Sequence, residues 1–138
     1  MTGLVIDASA MGAYLLPDED SELLPGLSDA LASERLVVPA HWQFEVANLA
    51  VSALRRLRIG EGELPGLGAS LRALDIEVDP LSGADAWDSV MALALAHRLT
   101  IYDAAYLALA KRRGLVLATL DRRLIEAARM EKAPLLGQ

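Results

Sequence analysis

Four short apolar runs recur along the chain: LVID (residues 4–7), RLVVPA (35–40), IEVDP (76–80) and LVLAT (115–119). Between and after them lie longer stretches with helical apolar spacing. Runs of this length that are apolar throughout suit strands buried on both faces. Strands alternating with helices pack as layers, because parallel neighbours need a crossover long enough to hold a helix. The pattern therefore predicts an α/β layer fold around a parallel sheet of four to five strands, with APLLG (133–137) as the optional fifth. Helices are expected over 8–16, halted by Pro17, and over 18–34, interrupted or delayed by Pro25 and Gly26. Others should run from Pro39 to about Arg58, over 64–74, over 83–98, from near Asp103, and over 121–130.

A chain of 138 residues is expected to form one domain, and 54% hydrophobic with 23% charged residues suits a packed core. With no cysteine there is neither a disulfide framework nor a thiolate metal site. The longest apolar runs, VMALALA (90–96) and AAYLALA (104–110), are seven residues each, against the roughly 20 a membrane span needs. MTGLVIDAS lacks the basic and long apolar regions of a signal peptide. A soluble, cytoplasmic protein without membrane association is the expectation. The net charge of −6 argues against broad phosphate binding, but leaves room for local basic patches and would be partly offset by a bound cation.

In an open parallel sheet, ligands bind outside the carboxyl ends of the strands, which directs attention to the acids there. Asp7 closes LVID, Asp103 follows LTIY, and Asp121 comes two residues after LVLAT. Each precedes a helical pattern, so each alone is an ordinary helix cap, a role worth about 0.5–2 kcal/mol. Together they read differently. On one edge of a parallel sheet their charges converge, and like charges ~4 Å apart repel by about 4 kcal/mol at an effective dielectric near 20. No lysine or arginine is placed to offset this, and a divalent cation would.

Glu45 lies inside a helix, where capping cannot explain it. In HWQFEVANLAVSALRR, Trp42, Val46, Leu49, Ala53 and Leu57 form one stripe, while His41, Glu45, Asn48, Ser52 and Arg55 form another. The second stripe is either a solvated face or a line projecting a carboxylate and an amide into a cleft. Ser9 and Thr119, each two residues from an aspartate, are turn residues or hydroxyls that orient a carboxylate. The basic clusters are Arg55, Arg56 and Arg58, then Lys111, Arg112 and Arg113, then Arg122 and Arg123. They are helix ends by default and candidate phosphate contacts otherwise. His41 and His97 have no partner suggested by spacing and read as structural. Trp42, Trp87 and Tyr106 read as core.

The ordered set VIDAS, FEVAN, YDAAYLALA and LATLDRRL resembles PIN-domain ribonucleases, in particular the VapC-like toxins of toxin–antitoxin pairs, over essentially the whole chain. The resemblance implies a three-layer α/β/α sandwich and an endoribonuclease using Mg²⁺ or Mn²⁺. It implies Asp7, Glu45, Asp103 and Asp121 as catalytic acids, with Asp7 and Asp103 as the primary metal ligands. Ser9, Asn48 and Thr119 fall at supporting positions, and Arg55, Arg56, Arg112, Arg113 and Arg122 are candidates for holding RNA. It also implies a homodimer and a VapB-like antitoxin whose tail reaches the acidic pocket. The acidic PDED (17–20) and low isoelectric point bear on how RNA is held. Two other readings compete: a PIN-fold binding module without cleavage, which would bind no Mn²⁺ at millimolar concentration, and a phosphoacceptor receiver domain. The latter lacks its paired early acids and its late lysine.

Overall fold

In the computed structural model, residues 3–80 and 83–137 are described, without the side chains of Ser21 and of residues 83–86. The elements in order are β1 (Leu4–Ile6), α1 (Ala8–Leu15), α2 (Leu27–Ser33), β2 (Leu36–Val38) and α3 (Trp42–Arg55). They continue with α4 (Leu64–Arg72), β3 (Ile76–Val78), α5 (Gly83–His97), α6 (Ile101–Arg113), β4 (Val116–Ala118) and α7 (Arg122–Met130). Single 3-10 turns stand at Ser21–Leu23 and Glu61–Glu63.

The four apolar runs form one parallel sheet in the order β3-β2-β1-β4. The chain steps one way from β1 to β3, then crosses back to reach β4. With right-handed crossovers, α1 to α4 cover one face and α5 and α6 the other, which yields the three layers. The central strands are fully buried, whereas β3 is a partly exposed edge. That difference explains why LVI and LVV are wholly apolar while IEV carries a charge.

α6 packs on β1, β4, α5 and α7. Its residues Ala104 to Ala110 are all buried, so YDAAYLALA is apolar on every side because it lies between the sheet and two neighbouring helices. On the other face α1 meets α3. A Cβ at Gly12 would stand 3.0 Å from Leu49 Cδ1, so the small residue sets how closely α3 approaches.

Several boundaries differ from expectation. The predicted helix over 18–34 is a 3-10 turn followed by α2, which starts only after Gly26 adopts a left-handed φ of 86°. APLLG makes one parallel bridge, Leu117 to Leu135, and no strand; Pro134 has no N–H to extend the ladder. α6 begins at Ile101, earlier than Asp103, because the Thr100 hydroxyl caps it by accepting from Asp103 N at 3.1 Å. Asp103 therefore occupies the first turn and is not the cap.

Candidate active site

Strand order reverses between β1 and β4, and the loops leaving these two strands meet at their carboxyl ends. Asp7 N donates to Ala118 O at 3.1 Å, so the end of β1 is tied to the end of β4. Asp7 then caps α1, with Oδ1 accepting from Ala10 N at 3.0 Å and from the Ser9 hydroxyl at 2.7 Å. Its other oxygen, Oδ2, accepts from the Thr119 hydroxyl at 2.5 Å. Ser9 Oγ in turn accepts from Leu120 N at 2.9 Å, and Thr119 Oγ1 from Asp121 N at 3.0 Å. The two hydroxyls thus relay between the β4–α7 loop and a carboxylate only 4% exposed.

Burial pushes the Asp7 carboxyl up to about 6, and the Asp121 charge adds to this, against the opposing hydrogen bonds from Thr119, Ala10 and Ser9. Asp121 caps α7: its Oδ1 accepts from Arg123 N at 2.9 Å and Leu124 N at 3.2 Å. The capping expectation and convergence on one strand edge therefore hold together for Asp7 and Asp121.

Burial also raises the Asp103 carboxyl, as do the charges of Asp121 and Glu45, with the Thr100 hydroxyl and His41 acting the other way. Glu45 stands one turn into α3. Its Oε1 accepts from the Tyr106 hydroxyl at 2.5 Å and lies 3.6 Å from His41 Nε2. The Asp121 charge thus acts on both Asp7 and Asp103, and the Glu45 charge on Asp103. The four acids do not close into a cage: among the described residues no three carboxylate or imidazole groups are disposed to hold a metal ion by themselves. Among the described residues none of the four forms an ion pair with lysine or arginine; His41 alone is close.

Asn48 is exposed on the next turn of α3. The basic candidates separate into two groups. Arg112 and Arg113 are not brought to the acids: Arg112 Nη2 donates to Asp79 Oδ2 at 2.6 Å, and Arg113 Nη1 to Glu77 Oε2 at 2.7 Å. They also lie about 15 Å along α6 from Asp103, at 1.5 Å per residue. Arg58 is held by Asp18 and Glu19 at 2.6 and 2.7 Å, so the acidic PDED is matched within the chain. Arg122 and Arg123 are exposed beside Asp121, and Arg55 and Arg56 are exposed at the far end of α3.

Sequence reasoning treated two further residues as structural that border the site. His41 Nε2 lies 3.0 Å from Tyr102 O, and its ring packs edge-on against Tyr102 and Tyr106 with centroids 5.3 and 5.1 Å apart. Trp42 and Tyr106 are buried as expected, whereas Trp87, expected in the core, is 68% exposed on α5; the Tyr106 hydroxyl, moreover, reaches Glu45. Contrary to the sequence reading, His41 does have a partner at helical spacing, Glu45 four residues on. Nothing local signals Tyr106.

Comparison with known proteins places the chain in a family. The PIN domain model matches residues 4–130. Ribonuclease VapC3 of Pyrobaculum aerophilum is 39% identical over 124 residues, covering 89% of this chain and 92% of the relative. The structure of PAE2754 from the same organism is 26% identical with a TM-score of 0.69, covering 97% of this chain and 83% of that one. The fold is shared with VapC20 of Mycobacterium tuberculosis, a sarcin–ricin loop cleaving toxin, at 17% identity and TM-score 0.65 over 91% of this chain and 95% of that one. It is shared too with FitAcB of Neisseria gonorrhoeae, at 19% identity and TM-score 0.59 over 96% of both chains.

Proposed function

The chain belongs to the PIN-domain family and is a homologue of a VapC ribonuclease, and on that premise we propose that it is a metal-dependent endoribonuclease, the toxin of a toxin–antitoxin pair. The observation that carries the reading is Asp7: a nearly inaccessible carboxylate at the β1/β4 switch point, held by two hydroxyls, with the Asp121 charge acting on it and, among the described residues, no lysine or arginine paired with it.

This donor set fits Mg²⁺ or Mn²⁺. All the candidate donors are hard carboxylate oxygens, and Mg²⁺ is typically held by one or two carboxylates while keeping several waters; a closed protein cage is not required. Asp7 and Asp103 are the proposed ligands, and Asp121 is the acid whose charge both of them feel. When bound, such an ion lowers the pKa of a water and stabilises negative charge on the phosphate. Ser9 and Thr119 fix the Asp7 oxygens by donating to them. Glu45 and Asp121 orient the attacking water and accept its proton. The water oxygen forms a bond to phosphorus as the bond to the 3′-oxygen breaks; the water's proton passes to one of these two carboxylates, and the departing 3′-oxygen takes a proton from solvent. The products then carry 5′-phosphate and 3′-hydroxyl ends.

RNA is the proposed substrate, held in a single-stranded or looped form by Arg122 beside Asp121, with Arg55 and Arg56 contacting more distant phosphates. The proposed partner is a VapB-like antitoxin whose basic tail would meet the acids. An apolar groove of about 440 Å³ between α1, α3 and α4, lined by Leu15, Val46, Leu49, Leu67 and Leu71, supports docking of the rest of it. No helix among the described residues is long and apolar enough to cross a membrane, in keeping with the proposed cytoplasmic site of action; a homodimer is proposed from the family resemblance.

Cleavage of a labelled single-stranded RNA with Mg²⁺ tests the proposal. Replacing Asp7 with Asn should reduce cleavage at least a hundredfold, and wild-type products should bear the ends named above. Undiminished cleavage by the variant, or 2′,3′-cyclic phosphate products, would refute the reading.

A further inference from the structure

From the contacts between α3 and α6 we infer that Tyr106, assisted by His41, is a positioning residue that holds Glu45 at a set distance from Asp103 and leaves Glu45 one oxygen with which to act. The inference rests on the nuclease reading and extends it to two residues outside the acidic set.

Glu45 and Asp103 belong to different helices, and no backbone pairing joins those helices as it joins β1 to β4. Two hydrogen bonds and two ring contacts bridge the gap instead. Tyr106 Oη donates to Glu45 Oε1 at 2.5 Å. His41 Nε2 lies 3.0 Å from Tyr102 O, the backbone oxygen next to Asp103, and 3.6 Å from the same Glu45 Oε1. The His41 ring packs edge-on against both tyrosines. Tyr106 is itself anchored, being 1% exposed within the apolar body of α6, one turn beyond Asp103. A rigid phenol rooted in the same helix as Asp103 and bonded to Glu45 therefore works as a strut between the two acids.

The strut also divides the work of the carboxylate. Oε1 receives the phenol, and the ring of His41 stands beside it. Oε2 accepts from no residue among those described, so a single oxygen is left for an ion or a water. Burial and the Glu45 carboxylate push the Tyr106 hydroxyl far above the ordinary phenol range, so it stays a donor at any working pH. Misplacing a reacting group by about 1 Å can cost two orders of magnitude in rate, so a strut of this kind has a measurable effect on catalysis.

The test is a double-mutant cycle on the full chain, comparing Tyr106→Phe, Glu45→Gln and the pair, with kcat on a labelled RNA and Mn²⁺ affinity of the RNA-free protein by electron paramagnetic resonance. If Tyr106 acts through Glu45, Tyr106→Phe lowers kcat about ten- to a hundredfold with little change in KM and weakens Mn²⁺ binding. Neither quantity then falls further when it is added to Glu45→Gln. Additive losses, or a Tyr106→Phe protein with wild-type kcat and Mn²⁺ affinity, overturn the inference. Should Tyr106→Phe not fold by circular dichroism, His41→Ala replaces it in the same cycle with the same criteria. Asp7→Asn serves as the reference: its full activity would overturn the nuclease reading itself, whereas an inactive Asp7→Asn beside an additive cycle overturns only the strut.

Discussion

Thr119 Oγ1 donates to Asp7 Oδ2 at 2.5 Å, joining residues 112 apart in the chain across the point where the strand order reverses. The bond welds two loops that each carry an aspartate, and its hydroxyl also accepts Asp121 N. One side chain thereby sets the separation of two acids.

Thr119→Val removes that donor while keeping the shape. A buried acceptor losing one of its partners costs about 1–3 kcal/mol, so the variant should lose that much unfolding free energy and show a lower urea midpoint than wild type. The Asp7 carboxyl should move above its value of about 6, because the Thr119 bond is the strongest of those opposing burial. Thr119→Ser should restore both. Urea titration and carboxyl ¹³C NMR provide the measurements; an unshifted Asp7 resonance in Thr119→Val would count against the relay.

The raised Asp7 pKa carries a sign. Folded Asp7 holds a proton up to about pH 6, whereas the unfolded chain releases it near 3.8, so between these values the folded state binds more protons. Its contribution to stability is therefore greatest below pH 3.8 and falls as pH rises through 6, by on the order of 3 kcal/mol. Carboxylates held below their usual range, such as Asp18, Glu77 and Glu131, contribute in the opposite sense, and the difference between wild type and Asp7→Asn isolates the term. In EDTA, Asp7→Asn should gain stability relative to wild type as pH rises from 4 to 7. A difference that does not change with pH would show that Asp7 titrates normally.

How much of this was legible in the sequence follows from the range of each interaction. The strands were readable because β1 and β2 are buried throughout and β4 at Leu117 and Ala118, and their apolar runs are uninterrupted. The acids were readable because strand ends are local features. The start of α6 was misplaced because Ile101 and Tyr102 continue a β-prone run, while the Thr100 cap that overrides it depends on a single hydroxyl. The roles of Arg112 and Arg113 were hidden for a different reason. KRR at a helix end reads as solvated charge, and the partners of the two arginines, Glu77 on the edge strand β3 and Asp79 just past its end, lie 33 to 36 residues earlier. Tyr106 was legible as core, but a hydroxyl meeting a carboxylate 61 residues away leaves no local trace.

The arginines should therefore divide experimentally. Arg112→Ala deprives a buried Asp79 of its nearest guanidinium, leaving Arg113 at 3.2 Å, and should destabilise the fold by about 1–3 kcal/mol without altering the salt dependence of RNA binding. Arg122→Ala should leave stability within about 0.5 kcal/mol and reduce that salt slope by about 0.7, the share of one phosphate on a single strand. Fluorescence anisotropy in the Asp7→Asn background measures binding without cleavage. The reverse assignment would place the RNA path along α6.

Direct Mn²⁺ binding to the RNA-free protein, followed by electron paramagnetic resonance, tests most directly whether these separated carboxylates act together on one cation. Wild type should bind Mn²⁺ below millimolar concentration, and Asp7→Asn and Asp103→Asn should each weaken binding at least tenfold while retaining their circular dichroism. Wild-type protein that takes up no Mn²⁺ at millimolar concentration, or variants that bind it as tightly as wild type, would contradict the account.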